Sequence, residues 1–285
     1  IVVLIALTVL DLIPIGKRYL NENNFVEQTN IDDEFAMTDA DRMIKQDPDH
    51  KNFRIYNTDD PYNNAKPSFH HNSVGGYNLA KLAIYQDLIE HQLSKGNMRV
   101  FDMLNTKYFV IQNPQTGAPI PQQNPGALGN CWLVKNIQFV NNADEEMKAL
   151  DNFNPKDTAI IDKRFQAKVK GDPQFDSSAY IKLLENINDT VRYEFNAASN
   201  QFAVFSEIYY DKGWNAYVDG NKADYVRVDY VLRGMSLPAG KHNIEFRFEP
   251  ESYKRGNTIS LWASIIGFMA LLAALFMDIK KKKIV

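Results

Sequence analysis

Residues 259–277, ISLWASIIGFMALLAALFM, run for 19 residues without a charge, and Ser260 and Ser264 are their only hydroxyl-bearing side chains. At 1.5 Å per residue such a helix is roughly 28 Å long, close to the ~30 Å hydrocarbon core of a bilayer. Tyr253, Lys254 and Arg255 precede it as interfacial anchors, and Lys280 to Lys283 follow it at once. A helix buried in a soluble domain seldom runs this far without a polar face. Residues 257–279 are therefore read as a transmembrane helix and 280–285 as a basic tail. A second apolar run, IVVLIALTVL at 1–10, is too short to span lipid by itself and leads into Asp11, Pro14 and Lys17-Arg18. It lacks the basic start and small-residue cleavage site of a signal peptide. Residues 1–16 are read as the end of a spanning helix, in a chain that begins at Ile1 and so reads as a piece of a longer protein.

The lysine tail sets the orientation, because clustered lysines beside a span stay in the cytoplasm. One crossing then places residues from about 18 to 257 outside it. The basic pairs at 17–18 and 254–255 oppose this only weakly, since long loops translocate largely regardless of charge. Hydrophobic residues make up 45% and charged residues 24%, which excludes a wholly disordered chain. The single cysteine, Cys131, excludes an internal disulfide and a cysteine-cluster metal site. With the end segments and the tail set aside, the formal net charge of -3 becomes about -5, so nothing draws the middle of the chain to nucleic acid.

The pattern of the middle predicts an α+β protein: a mixed α/β lobe over 17–175, then an antiparallel β-sandwich over 176–256. In the lobe, Thr38-Asp-Ala-Asp41 predicts a capping box and a short helix to about Lys45. FRIY (53–56) predicts a strand, 57–76 a loop, and 78–93 a helix closed by Gly96. Strands are expected at 99–101, 108–111, 132–134, 137–140 and 158–161, and a short helix at 143–150. The proline-rich stretch 112–130 reads as a long loop, either a lid or a connector. Beyond 176, Val191, Tyr193 and Phe195 alternate with polar residues, as do Ile244, Phe246 and Phe248, so each strand buries one face. Asp219-Gly220 supplies a two-residue hairpin turn, and the turn spacing predicts six to eight strands.

The segments SVGGYNLAKLAIYQDLIE (73–90), MLNTKYFVI (103–111), NPGALGNCWLV (124–134), SEIYYDKGWNAYVDG (206–220) and LPAGKHNIEFRFEP (237–250) resemble the C-terminal part of the YfhO family of bacterial membrane proteins, in the form typical of Bacteroidetes. DLIPIGKRYLNENNFV (11–26) fits the same family just after a spanning helix. The resemblance implies a large multi-pass protein of the cytoplasmic membrane, related to the GT-C glycosyltransferases, which move sugar from a polyprenyl-phosphate donor to a cell-envelope acceptor outside the cytoplasm. The early loop that carries the catalytic acid in such enzymes has no counterpart here, so no residue of this chain is assigned to catalysis. The expected role is acceptor binding or positioning. The alternative is a non-catalytic, membrane-tethered module that binds carbohydrate or protein; a soluble hydrolase with a buried C-terminal helix ranks below both.

Candidate binding residues are few. Gly75, Gly76 and Tyr77 precede the expected helix, and Lys81 would lie one turn in; such a turn can cradle a phosphate or carboxylate. The plainer reading is a glycine turn with a solvated lysine. Tyr209, Tyr210, Trp214 and Tyr217 cluster around Gly213, and Trp214 and Tyr217 could stack on sugar rings, although they fall on opposite faces of a strand and packing is the preferred role. His70-His71 lacks metal-ligand spacing. The acidic runs Asp32-Asp33-Glu34 and Asp59-Asp60 read as solvated loops, and Cys131 as a small core residue. No metal or cofactor is implied.

Overall fold

The computed structural model describes residues 2–25, 35–174 and 176–282. It is an α+β protein with several antiparallel sheets and a long apolar C-terminal helix. The chain divides into two compact units. One comprises residues 1–77 and 108–123; the other comprises 78–107 and 124–285.

The first unit begins with helix α1 (Val2–Tyr19), whose apolar side chains are exposed throughout. Helix α2 (Asp39–Lys45) starts as its sequence dictates. The Thr38 hydroxyl accepts the Asp41 N–H at 3.2 Å, and the Asp41 carboxylate accepts the Thr38 N–H at 2.8 Å. The helix buries Ala40 and Ile44 against Phe53, Ile55 and Val110. The last three come from strand β1 (Arg54–Asn57) and its approach and from strand β2 (Thr106–Gln112). Two expected loops carry more structure than their composition suggests. Helix α3 (Lys66–His70) interrupts 57–76, with Pro67 in its first turn, where a missing N–H costs nothing. Strand β3 (Pro119–Gln123) interrupts 112–130 and pairs antiparallel with β2. The sheet order is β1-β2-β3, so Pro119 and Pro121 lie on an edge strand, the one place in a sheet that tolerates proline.

The second unit opens with α4 (Ala83–His91), shorter than the helix expected over 78–93. The Asn78 side chain accepts the Ala80 N–H at 2.8 Å, a local turn that competes with helix, and Leu82 is extended at φ -64°, ψ 135°. Residues 99–101, expected as a strand, lie in α5 (Met98–Met103). Asn97 accepts the Arg99 N–H and caps it, so an N-cap decides between helix and strand for a short apolar run. Then come β4 (Cys131–Val134), β5 (Asn136–Val140), α6 (Ala143–Ala149) and β6 (Thr158–Asp162); β5 and β6 pair in parallel. The region beyond 176 supplies β7 (Tyr180–Ile187), β8 (Thr190–Ala197), β9 (Gln201–Ile208), β10 (Trp214–Val218), β11 (Asn221–Ala223), β12 (Val226–Val228), β13 (Leu232–Leu237) and β14 (Gly240–Phe248).

These strands form a five-stranded sheet, β11-β10-β14-β8-β7, and a four-stranded sheet, β12-β13-β9-β4. One buried cluster draws on both: Val191, Tyr193 and Phe195 from β8, Ile244 and Phe246 from β14, and Ala203, Phe205, Met235 and Leu237 from β9 and β13. In β8 and β14 the alternation thus becomes one dry face, whereas β12, β13 and most of β9 are buried on both faces. The rings of Tyr193, Phe205 and Phe246 meet edge to face at 4.8–6.3 Å, an arrangement aromatic quadrupoles favour. At the β10–β11 turn Asp219 and Gly220 both have positive φ, 50° and 80°, as a type I′ hairpin requires.

Helix α7 (Glu251–Lys282) has 32 residues, roughly 48 Å at the α-helical rise, and residues 251–277 are long and apolar enough to cross a membrane. None of that segment is buried in protein. Ser264 donates to the Ser260 carbonyl at 2.8 Å, so its hydroxyl is satisfied within the helix, as lipid demands.

Candidate functional site

The residues singled out from the sequence do not form one constellation. Gly75, Gly76 and Tyr77 belong to the first unit, Lys81, Trp214 and Tyr217 to the second. The glycine turn engages its own backbone: Val74 donates to the Ile55 carbonyl at 2.9 Å, Gly75 to Ser73 Oγ at 3.1 Å and Gly76 to the Pro61 carbonyl at 2.7 Å. No helix follows it directly, since α4 begins at Ala83. Gly75 is there for space, because a Cβ would lie 1.9 Å from the Pro61 carbonyl oxygen. Gly75→Ala is expected to cost the first unit about 3 kcal/mol, read as lost hydrogen-exchange protection in β1 and β2. Tyr77 is exposed, and Lys81 donates to Gln86 at 3.2 Å.

Trp214 and Tyr217 do part to opposite faces. Trp214 packs against the core cluster, with the Arg233 guanidinium 4.3 Å above its ring. Tyr217 sits on the other face under Arg247 at 4.7 Å and donates to Glu249 at 2.8 Å. Cys131 is half-buried beside the same core, and burial pushes its thiol up to about 12. A maleimide is accordingly expected to label it only once the protein unfolds; labelling of the folded chain at neutral pH would contradict that. His70 and His71 serve structure: His70 Nε2 meets the Phe35 carbonyl at 2.9 Å and His71 Nε2 meets Asp41 at 3.0 Å. Among the described residues no group of acids, histidines or cysteines could hold a metal. Asp32, Asp33 and Glu34 lie outside the described residues.

The candidate that combines aromatic rings with arginines is a groove of about 460 Å³ in the second unit, within the size range of small-molecule sites. One wall is the start of α4, at Leu82, Ala83 and Ile84. Leu82 has no side chain to cap the helix, and the Ala83 and Ile84 N–H groups have no partner among the described residues. The other walls are Arg164 and Phe165, from the turn after β6, Tyr209 to Asp211 beyond β9, and Arg227 of β12. Phe165 and Tyr209 meet edge to face at 5.9 Å. The Arg164 guanidinium lies 5.2 Å over the Phe165 ring, and that of Arg227 at 5.9 Å. Burial, then the nearby Asp211 charge, raises the Tyr209 hydroxyl above its ordinary value, so it remains a donor at neutral pH.

Behind the groove lies a buried polar cluster. Glu146 of α6 is fully buried, pairs with Arg227 and accepts the Tyr230 N–H at 3.0 Å. Asp229, also fully buried, accepts the Ile160 N–H at 2.8 Å. Burial raises both carboxyls, Asp229 well above the ordinary range; Arg227 offsets part of the rise at Glu146. Between β12 and β13, Asp229 and Tyr230 hold φ values of 49° and 70°, a conformation non-glycine residues rarely adopt. Sustained strain of this kind is characteristic of functional positions. Arg227 is therefore fixed from behind by Glu146 and presented at the groove. Of this set, the sequence drew attention only to Tyr209 and Tyr210; Arg227 offered one signal, a charged residue between two valines in a strand.

Residues 172–260, which span β7 to β14 and the start of α7, match the model of the family described as bacterial membrane protein YfhO. No curated protein and no solved structure matches the chain.

Proposed function

We propose, starting from the place of this chain in the YfhO family of bacterial membrane proteins, that it is the C-terminal, extracytoplasmic part of a GT-C-like sugar transferase and that its groove holds the acceptor glycan. In this reading α7 crosses the bilayer with its basic end in the cytoplasm, α1 is the end of an earlier span, and the two sheets pack as a sandwich outside. Sugar comes from a polyprenyl-phosphate donor, and catalysis belongs to upstream spans. The observation that carries the reading is the composition of the groove. The rings of Phe165, Tyr209 and Tyr210 offer apolar faces, Arg164 offers donors and Asp211 an acceptor. A sugar needs all three, since its ring has apolar C–H faces and its hydroxyls both donate and accept. Lys81, next in the chain to Leu82, and Tyr217, on the outer face of the five-stranded sheet, are the sequence-derived residues best placed to hold further sugar units. Trp214 supports the fold, and the turn at Gly75, Gly76 and Tyr77 belongs to the first unit.

The test is a Phe165→Ala/Tyr209→Ala double variant of the intact protein, expressed in cells lacking their own copy. Both side chains are only partly buried, so folding and membrane level should hold. Glycan transfer to the envelope and binding of envelope glycan by the purified protein are expected to fall together by at least roughly tenfold. Lost binding with no transfer activity in the wild type would favour the non-catalytic module, and unchanged binding would defeat both readings.

A further inference from the structure

Leu79 is the most exposed large apolar side chain among the described residues, at 88%, ahead of any on α1 or α7. It is also held out: the Asn78 carboxamide oxygen accepts the Ala80 N–H at 2.8 Å and closes a turn with Leu79 at its centre. A single leucine on a surface is ordinary. What distinguishes this one is where it stands. Shortly after it, Leu82, Ala83 and Ile84 face Tyr209, Tyr210 and Asp211. The chain beyond Asp211 then reaches the base of α7. The Gly213 carbonyl accepts the Glu249 N–H at 2.7 Å, and a Cβ at Gly213 would lie 2.7 Å from the Phe248 ring and 3.1 Å from Pro250. Helix α7 starts at the next residue, Glu251. Leu79 and the turn between β9 and β10 therefore lie at the end of the second unit from which α7 leaves.

The other side chains of this end suit a headgroup layer. Lys212 is 74% exposed in its side chain, Tyr253 is 72% exposed, and Lys254 and Arg255 follow it. Lysine, with its apolar stem, and tyrosine, with an apolar ring and a polar tip, settle at a membrane interface. The charged first turns of α7, residues 251–258, rise roughly 12 Å, less along the bilayer normal in a tilted helix, against a headgroup layer about 5–8 Å deep. This end of the unit thus stands within side-chain reach of that layer.

We propose that Leu79, Lys212 and Tyr253 form a docking rim that seats the second unit on the bilayer interface, with Leu79 at the boundary of headgroups and acyl chains. The inference rests on α7 crossing the bilayer, as in the reading above. One leucine is a weak anchor by itself. Here α7 already holds the unit at the surface, so docking is effectively intramolecular and a single apolar contact suffices. The rim sets the orientation of the unit, and α7 its attachment.

The test labels Leu79→Cys, Lys212→Cys, Trp262→Cys and Asn221→Cys, one at a time, with the fluorophore NBD in the full chain reconstituted in phosphatidylcholine vesicles. Cys131 is protected by burial. Trp262 lies within α7, and Asn221 lies at the end of β10 remote from Gly213. Quenching is read with nitroxide on the lipid headgroup and, separately, at mid-chain. The labels at 79 and 212 are expected to lose most of their emission to the headgroup nitroxide, the label at 262 to the mid-chain nitroxide, and the label at 221 to neither. Leu79→Asp, which leaves the fold alone because the side chain is exposed, is expected to relieve the quenching at 212. A label at 79 that emits as free dye does in water, or quenching at 212 that ignores Leu79→Asp, overturns the rim, while quenching at 262 leaves the span standing. A blue-shifted label at 79 that neither nitroxide quenches rests against protein, which also overturns the rim. No quenching at 262 removes the spanning helix and the rim with it.

Discussion

Glu146→Ala is expected to destabilise the second unit by about 3–5 kcal/mol, the usual cost of stripping one partner from a buried ion pair. The side chains of Glu146 and Arg227 are 0% and 8% exposed, so water cannot replace the lost carboxylate. The change orphans both the Arg227 guanidinium and the Tyr230 N–H, which Glu146 accepts at 3.0 Å. Those contacts also hold the β12–β13 connection with Asp229 and Tyr230 in the left-handed region. For a unit of this size the loss corresponds to roughly 6–20 °C in Tm, measurable by the fluorescence of Trp132 and Trp214. A cycle separates the pair from the site. Glu146→Leu with Arg227→Met replaces two charges by apolar bulk and is expected to recover most of the stability while the groove loses its Arg227 guanidinium. Were Glu146→Ala to cost under about 1 kcal/mol, the pair would not be what fixes Arg227 in the groove wall.

The same residue shows where reading the sequence stops. In Ala143-Asp-Glu-Glu-Met147 three adjacent acids look alike. Asp144 and Glu145 are exposed, and Glu145 accepts the Asn141 N–H. Glu146 points inward because it shares a helix face with Met147 and Leu150. The 3.6-residue period marks that face, but nothing local says that an arginine 81 residues on will meet it. Features determined within a few residues were legible: the Thr38 capping box, the alternation in β8 and β14, the Asp219-Gly220 hairpin and the uncharged span of α7. The failures have two causes: a local cap that went unread, as when Asn97 turned 99–101 into helix, and a partner distant in the chain, as when β2 gave the proline-rich β3 an edge to pair with. The groove draws on segments near 83, 164, 210 and 227, so only tertiary structure brings it together.

Acid and base are expected to act on the two units in opposite directions. In the first, burial alone would raise the Asp41 carboxyl, but hydrogen bonds from His71 and Thr38 outweigh it and hold the group down to about 2. Its contribution is complete above the unfolded value of 3.8 and is lost as pH falls toward 2. In the second unit the signs reverse. Burial raises Asp229 and, less strongly, Glu146, so the folded state holds protons that the unfolded chain has released. Stability there falls as pH climbs from the unfolded carboxylate values through the folded ones, by about 1.4 kcal/mol per pH unit for each proton retained. Asp229→Asn removes the more strongly raised of the two carboxyls. Asparagine keeps the oxygen that accepts the Ile160 N–H at 2.8 Å and tolerates a φ of 49°. Pulse proteolysis of the full chain between pH 4 and 8, with cleavage mapped by mass spectrometry, follows each unit separately. The wild-type second unit should lose stability across that range, the variant should lose distinctly less, and the first unit should be unaffected by the change. Parallel slopes for wild type and variant would mean that Asp229 is ionised in the folded protein, and the cluster behind Arg227 would then hold two buried negative charges against one positive.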